Sequence, residues 1–136
     1  MSVLLVEDRG AVRVLTMNRP EKRNALNSDL TKALFENLKE ADRAEGVGCV
    51  VLTGAGQGFC AGADLTEFKG LQDPRAAEER AELTMQLHLA FSKISKPIVA
   101  AINGAAMGGG AGLAIAADIA VMAAGADALW PTITAG

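Results

Sequence analysis

"INGAAMGGGAGLAIAADIAV", residues 102–121, is the stretch on which the reading of this chain turns. An apolar run ends at Ile102, three consecutive glycines stand at 108–110, and a small-residue run of helical character follows. Glycine in a helix interior costs roughly 1 kcal/mol relative to alanine. Gly108, Gly109 and Gly110 at a helix start therefore answer to something other than helix propensity. Either a neighbouring backbone packs closely against them, or a ligand approaches the main chain.

The flanks give the architecture. "PIVAAI" (97–102) reads as a buried strand and "IAVMAA" (119–124) as a strand, on either side of the glycine turn and its helix. Upstream, "QDPR" (72–75) opens a helix, with Asp73 as cap and Pro74 at the first helical position, running to about Ile94. Leu83, Leu87, Phe91 and Ile94 lie on one face of it. "VGCVVLTG" (47–54) is another buried strand, followed by the glycine-rich loop "AGQGFCAGADL" (55–65), where Asp64 is placed to cap a short helix through Leu71. "NSDLTKALFENLKEADRAEG" (27–46) begins at an Asn27/Ser28 cap and carries Leu30, Leu34, Leu38 and Ala41 at helical spacing. "SVLLVED" and "AVRVLTMN" read as a hairpin turning at Asp8-Arg9-Gly10. Strands alternating with helices predict an α/β fold, mainly parallel after the hairpin. No internal repeat is visible in the sequence.

Composition narrows the function. The chain has 136 residues, half of them hydrophobic and about a fifth charged, which predicts one globular domain with a real core. A net charge of −3 with scattered basic residues gives no nucleic-acid footprint. The two cysteines, Cys49 and Cys60, have neither metal-like spacing nor partners enough for a disulfide framework. Glu7 and Asp8 interrupt any signal-peptide core, and Asp118 and Asp127 break the apolar C-terminal region, so no membrane span is expected. A reduced, cytoplasmic setting is the expectation.

Both glycine clusters follow a strand and precede a helix, the edge of an α/β sheet where ligands collect. "GAGQGF" places Phe59 where a dinucleotide fingerprint needs its third glycine, and neither cluster supplies the Lys-Ser/Thr pair of a phosphate loop. There is no nucleophile elbow and no zinc helix. The remaining chemical assets are backbone N–H groups at a helix N-terminus, which favour negative charge.

"FCAGADL" (59–65), "KPIVAAINGAAMGGG" (96–110) and "VLTMNRPEKRNAL" (14–26), in that co-ordered set, resemble the crotonase superfamily, the enoyl-CoA hydratase/isomerase family. The resemblance runs over essentially the whole chain. It implies a spiral of β-β-α units and a substrate that is an acyl-CoA thioester, with coenzyme A as part of that substrate and no separate cofactor or metal. It further implies an oxyanion hole of two backbone N–H groups, which fall on Ala63 and Gly109. Lys22 and Arg23 match the coenzyme A contact, and Ala25, Ala61, Asp64, Leu65 and Gly108 match the main-chain strip around it. A homotrimer or hexamer is implied for the full-length form.

The hydratases of this family also use two glutamates. Their positions here carry Gly112 and Thr132, neither of which supplies a carboxylate. Glu67, Glu78 and Glu82 are the acids on helices that cover the acyl pocket in relatives; a solvated helix face is the plainer reading for each. Asp118 matches a structural position, Asp127 a turn, and His88 a partly exposed helix face. Cys60 is a packing residue rather than a reactive thiol. Trp130 lines the acyl end or packs against further chain. Relatives run about twice as long, so the expectation is a family core, residues 1–136, cut before a C-terminal helical region. The function expected is acyl-CoA hydratase/isomerase chemistry; the alternatives are a non-catalytic acyl-CoA binder and an inactive truncated paralogue.

Overall fold

The structure, a computed structural model, describes residues 2–126 and 128–129. Strands β1 (Leu4–Arg9) and β2 (Val12–Met17) form the antiparallel hairpin, with Leu4 opposite Met17 and Arg9 opposite Val12. The turn sits one step later than the sequence suggests. Asp8 and Arg9 are still in β1, paired with Arg13 and Val12, and the Asp8 carboxylate takes both Arg13 Nε and Nη2 across the strands at 2.7 and 2.9 Å. Gly10, at φ +61°, makes the turn.

After a short 3-10 turn at Pro20–Lys22, helix α1 (Ser28–Arg43) starts where Asn27 accepts the Leu30 N–H. Its stripe of Leu30, Leu34, Leu38 and Ala41 is fully buried against the sheet. Strand β3 (Cys49–Gly54) leads to α2 (Leu65–Lys69), capped by Asp64, and α3 (Pro74–Lys93), capped by Asp73. Strands β4 (Ile98–Ile102) and β5 (Ala106–Met107), helix α4 (Gly109–Ala116), and strands β6 (Ile119–Met122) and β7 (Ala128–Leu129) complete the order. At the far ends of α1 and α3, Asp42 accepts the Ser95 N–H at 2.9 Å, and Lys96 donates to the Ala41 and Ala44 carbonyls. The end of α1 is thereby pinned with its last carbonyls satisfied.

The main sheet has the order β1-β2-β3-β4-β6, parallel from β2 onward. A second, much smaller layer runs alongside. Leu26 bridges Ala63, Cys60 bridges Ala106, and β5 pairs with β7, all in parallel. The chain therefore repeats one movement: main-sheet strand, second-layer segment, helix. It does so as β2–Leu26–α1, then β3–Cys60–α2/α3, then β4–β5–α4. The repeat exists in space without any repeat in sequence, since each second-layer segment is only one or two residues long. Both glycine clusters lie at the carboxyl ends of main-sheet strands, where the chain drops into the second layer.

Candidate oxyanion site

The first loop is shaped by two amides. Asn24, fully buried and at φ +57°, donates through Nδ2 to the Ala55 and Gly58 carbonyls, both at 3.0 Å, and accepts the Arg19 N–H at 2.8 Å. Asn103 accepts the Gly54 N–H at 3.2 Å and donates to the Gly54 carbonyl at 2.8 Å. The loop's polar backbone is thus satisfied although it packs tightly. Beyond it, Phe59 and Cys60 donate to the Ala105 carbonyl, and Cys60 accepts the Met107 N–H at 2.9 Å. The first loop is laced to the second.

Each glycine of the triplet has its own reason. Gly108 sits at φ +48°, ψ −116°, a conformation that L side chains rarely adopt, although a Cβ there would meet nothing within 4 Å. At Gly110 a Cβ would lie 2.2 Å from the Cys60 oxygen and 2.7 Å from its Cβ, so only glycine fits. Gly109 is different. A Cβ there would make ordinary contacts, 3.7 Å to Leu26 Cδ1 and 3.9 Å to the Ala63 nitrogen. Both alternatives raised by the sequence therefore hold at once: packing explains Gly110, and open main chain remains at Gly109.

Ala63 and Gly109 come from successive turns of the spiral and stand beside each other. Gly109 is the first residue of α4, where an N–H has no intrahelical partner. Ala63 lies between two bonds to Leu26: the Leu26 N–H donates to Gly62 at 2.7 Å and its carbonyl accepts the Asp64 N–H at 3.1 Å. Successive residues of an extended segment present their polar groups to opposite sides, so the Ala63 N–H faces away from Leu26. Both residues are exposed, and among the described residues neither N–H has an acceptor. Two open donors side by side, one backed by a helix dipole, make a place for a carbonyl oxygen that gains negative charge.

The neighbouring charges are occupied in holding this frame. Arg19 pairs with Asp64 at 3.1 Å and donates to the Ala25 carbonyl, tying the 22–25 loop to the donor segment. Burial pushes the Asp64 carboxyl up, but Arg19 and the Glu67 and Thr66 N–H groups outweigh it and leave it below its ordinary value. Glu67 accepts the Ser28 N–H and hydroxyl, each at 2.9 Å, and Arg80 Nε at 2.9 Å. Burial again raises its carboxyl, and the Ser28 N–H, Arg80 and the Ser28 hydroxyl together bring it below its ordinary value. Glu67 is therefore neither a solvated face residue nor a free base.

The other sequence-predicted residues sort readily. Ala61 donates to the Arg23 carbonyl at 2.9 Å, so the two halves of the expected coenzyme A strip meet. Lys22 and Arg23 are exposed, and Arg23 borders a cavity of about 440 Å³ formed with Pro20, Gly56, Gln57, Gly58 and Ala105. Leu65 is 72% exposed at the start of α2. Gly112 is inside α4 and donates to the Gly108 carbonyl at 3.0 Å. Asp118 accepts the Ile98 N–H at 2.8 Å, at the opposite end of β4 from the glycine loops, which makes it structural. Glu78 and Glu82 are exposed, and His88 meets the Thr84 carbonyl at 2.9 Å. Cys60 donates its thiol to the Asn24 carbonyl, and burial pushes that thiol up to about 11 against the pull of the Gly62 N–H, so it is no nucleophile at neutral pH. Thr132, Asp127 and Trp130 lie outside the described residues.

Asn24, Asn103, Arg19 and Arg80 are the site-building residues that the sequence did not single out. One signal was available: Arg80 falls on the α3 stripe, at helical spacing from Leu87 and Phe91, where a charge is out of place.

Comparison with known proteins gives the family. Residues 7–136 match the family model described as enoyl-CoA hydratase/isomerase. A probable enoyl-CoA hydratase of Mycobacterium leprae is 42% identical over 125 residues, covering 88% of this chain and 42% of that protein. A 1,2-epoxyphenylacetyl-CoA isomerase of Escherichia coli is 37% identical over 128 residues, covering 90% and 48%. Among solved structures, an enoyl-CoA hydratase/isomerase from Mycobacterium paratuberculosis superposes with a TM-score of 0.91 at 31% identity, covering all of this chain and 55% of that one. The chain spans about half the length of the relatives it matches. With the spiral architecture and the match over nearly every residue, the chain belongs to the enoyl-CoA hydratase/isomerase family, the crotonase superfamily.

Proposed function

We propose that the protein binds an acyl-CoA thioester with its carbonyl oxygen between the N–H groups of Ala63 and Gly109, and acts on the acyl group by stabilising an enolate or related oxyanion. One observation carries this reading: two exposed N–H groups from different turns of the spiral are adjacent, and neither has an acceptor among the described residues. Each such donor is worth about 10²- to 10³-fold in rate. Lys22 and Arg23 are assigned to the phosphates of coenzyme A, and the main chain of Ala25, Ala61, Asp64, Leu65 and Gly108 to its adenosine and pantetheine. A reduced, cytoplasmic setting fits the free cysteines Cys49 and Cys60, and trimeric or hexameric assembly is part of the same proposal.

Within the family's range, hydration and double-bond isomerisation both move protons on the acyl chain, and neither hydratase glutamate position carries a carboxylate here. Water addition needs an acid–base group in reach of the reacting atoms, worth about 10²- to 10⁴-fold. Gly112 offers none, Thr132 stands at the second glutamate position, and Asp64 and Glu67 are committed to ion pairs. The same facts favour, as a second reading, acyl-CoA binding without turnover. Calorimetric titration with butyryl-CoA and with free coenzyme A, beside a crotonyl-CoA hydration assay, tests both. The thioester should bind more tightly than the thiol, and hydration should be very slow. Equal affinity for both ligands would refute the oxyanion site. Hydration at an ordinary enzymic rate would refute the account of the missing carboxylates.

A further inference from the structure

Arg80 is 5% exposed on α3, and taking a guanidinium out of water is costly unless its nitrogens find partners. Each of its three nitrogens has a partner. Nε bonds Glu67 at 2.9 Å, Nη1 bonds Thr84 Oγ1 at 2.6 Å, and Nη2 bonds the Leu26 carbonyl at 2.9 Å and Thr31 Oγ1 at 3.2 Å. The Phe68 ring covers the group at 5.5 Å. Docking α3 onto the body does not require this, because a buried ion pair is often replaceable by apolar side chains at no loss of stability. What an apolar residue cannot supply is a directed bond to the Leu26 carbonyl.

Leu26 touches both halves of the donor pair. Its backbone brackets Ala63, through Gly62 on one side and Asp64 on the other, and its side-chain Cδ1 would lie 3.7 Å from a Cβ on Gly109. Resting on the acyl-CoA reading above, we propose that Arg80 is a positioning residue for the oxyanion site, acting through the Leu26 carbonyl to aim the Ala63 N–H. Glu67 completes the device. By holding Arg80 and the Ser28 N–H together, it ties α1, α2 and α3 to Leu26 through the Arg80 bond to its carbonyl.

The test reads the aim of the donors rather than stability. Butyryl-CoA labelled with ¹³C at the thioester carbonyl is bound at saturation, and its C=O stretch is followed by isotope-edited vibrational spectroscopy. Two hydrogen bonds to the oxygen lower that frequency in the parent protein. Arg80→Met should lose half or more of the lowering, with Arg80→Lys between it and the parent, because lysine keeps the charge but not the fork. Leu87→Ala, which empties a buried position on the same helix, should lose stability and keep the full lowering. If Arg80→Met does not fold, Arg80→Lys carries the comparison. A full lowering in the folded Arg80 variants would overturn the positioning role while leaving the acyl-CoA reading intact. An unchanged frequency in the parent itself would overturn that reading, and this inference with it.

Discussion

The loops 54–63 and 103–110 occupy equivalent places in successive turns of the spiral, and each delivers one donor. They use glycine differently. In the first, a Cβ on Gly54 would lie 2.5 Å from the Gly58 and Phe59 oxygens, and Gly62 sits at φ +97° with its Cβ position 2.9 Å from the Met107 oxygen. Crowding and conformation fall on residues beside the donor, and the donor itself is an alanine. In the second, Gly104 would collide with the Gln57 oxygen at 1.8 Å and Gly110 with Cys60, while Gly108 carries the conformation and Gly109 is free of both. Three adjacent glycines therefore meet three separate demands. A glycine cluster is better read residue by residue than as one flexible unit.

That contrast predicts a graded series. Gly110→Ala should do the most damage, about 3 kcal/mol or more, because both colliding atoms belong to a fully buried residue. Chemical denaturation measures it, and a loss under 1 kcal/mol (roughly the helix preference of alanine) would mean the two loops can slide apart. Gly108→Ala meets no atom and should cost about 1–3 kcal/mol through backbone strain alone.

Acid should loosen the first loop's surroundings before the second's. The Glu67 carboxyl lies below its ordinary 4.5 in the folded protein, so its contribution to stability is full above that pH and is lost as pH falls through the lower folded value. Glu67→Gln should flatten this part of the pH–stability curve. An unchanged acid limb would show that Glu67 and Arg80 do not act as a pair.

Much of this was readable from residues. The caps at Asn27, Asp64 and Asp73 are local chemistry, and the structure has all three. The stripe on α1 and the apolar runs of β3 and β4 are periodic over enough residues to stand out. The second layer is not. Leu26, Cys60 and β5 pair over one or two residues, too short for any periodicity, so the spiral came only from the family resemblance. Likewise the roles of Asn24, Asn103 and Arg80 depend on carbonyls 31 to 54 residues away; Arg80 to Leu26 is the longest reach and Asn24 to Ala55 the shortest. No local pattern encodes such partners.

The smallest structural effect in the series carries the most functional information. Gly109→Ala should leave stability within about 1 kcal/mol, since alanine is favoured in helices and its Cβ has ordinary clearance. Helical Cβ atoms tilt toward the N-terminus, here toward the space between the donors, so butyryl-CoA should bind more weakly. Calorimetry on the folded variant reads this. Undiminished affinity would mean the oxygen does not approach from that side.

The central claim is tested most directly by a crystal structure of the protein with butyryl-CoA. The account predicts the thioester oxygen at about 2.7–3.1 Å from the nitrogens of both Ala63 and Gly109. A thioester bound elsewhere, or one whose carbonyl turns away from both nitrogens, would contradict it.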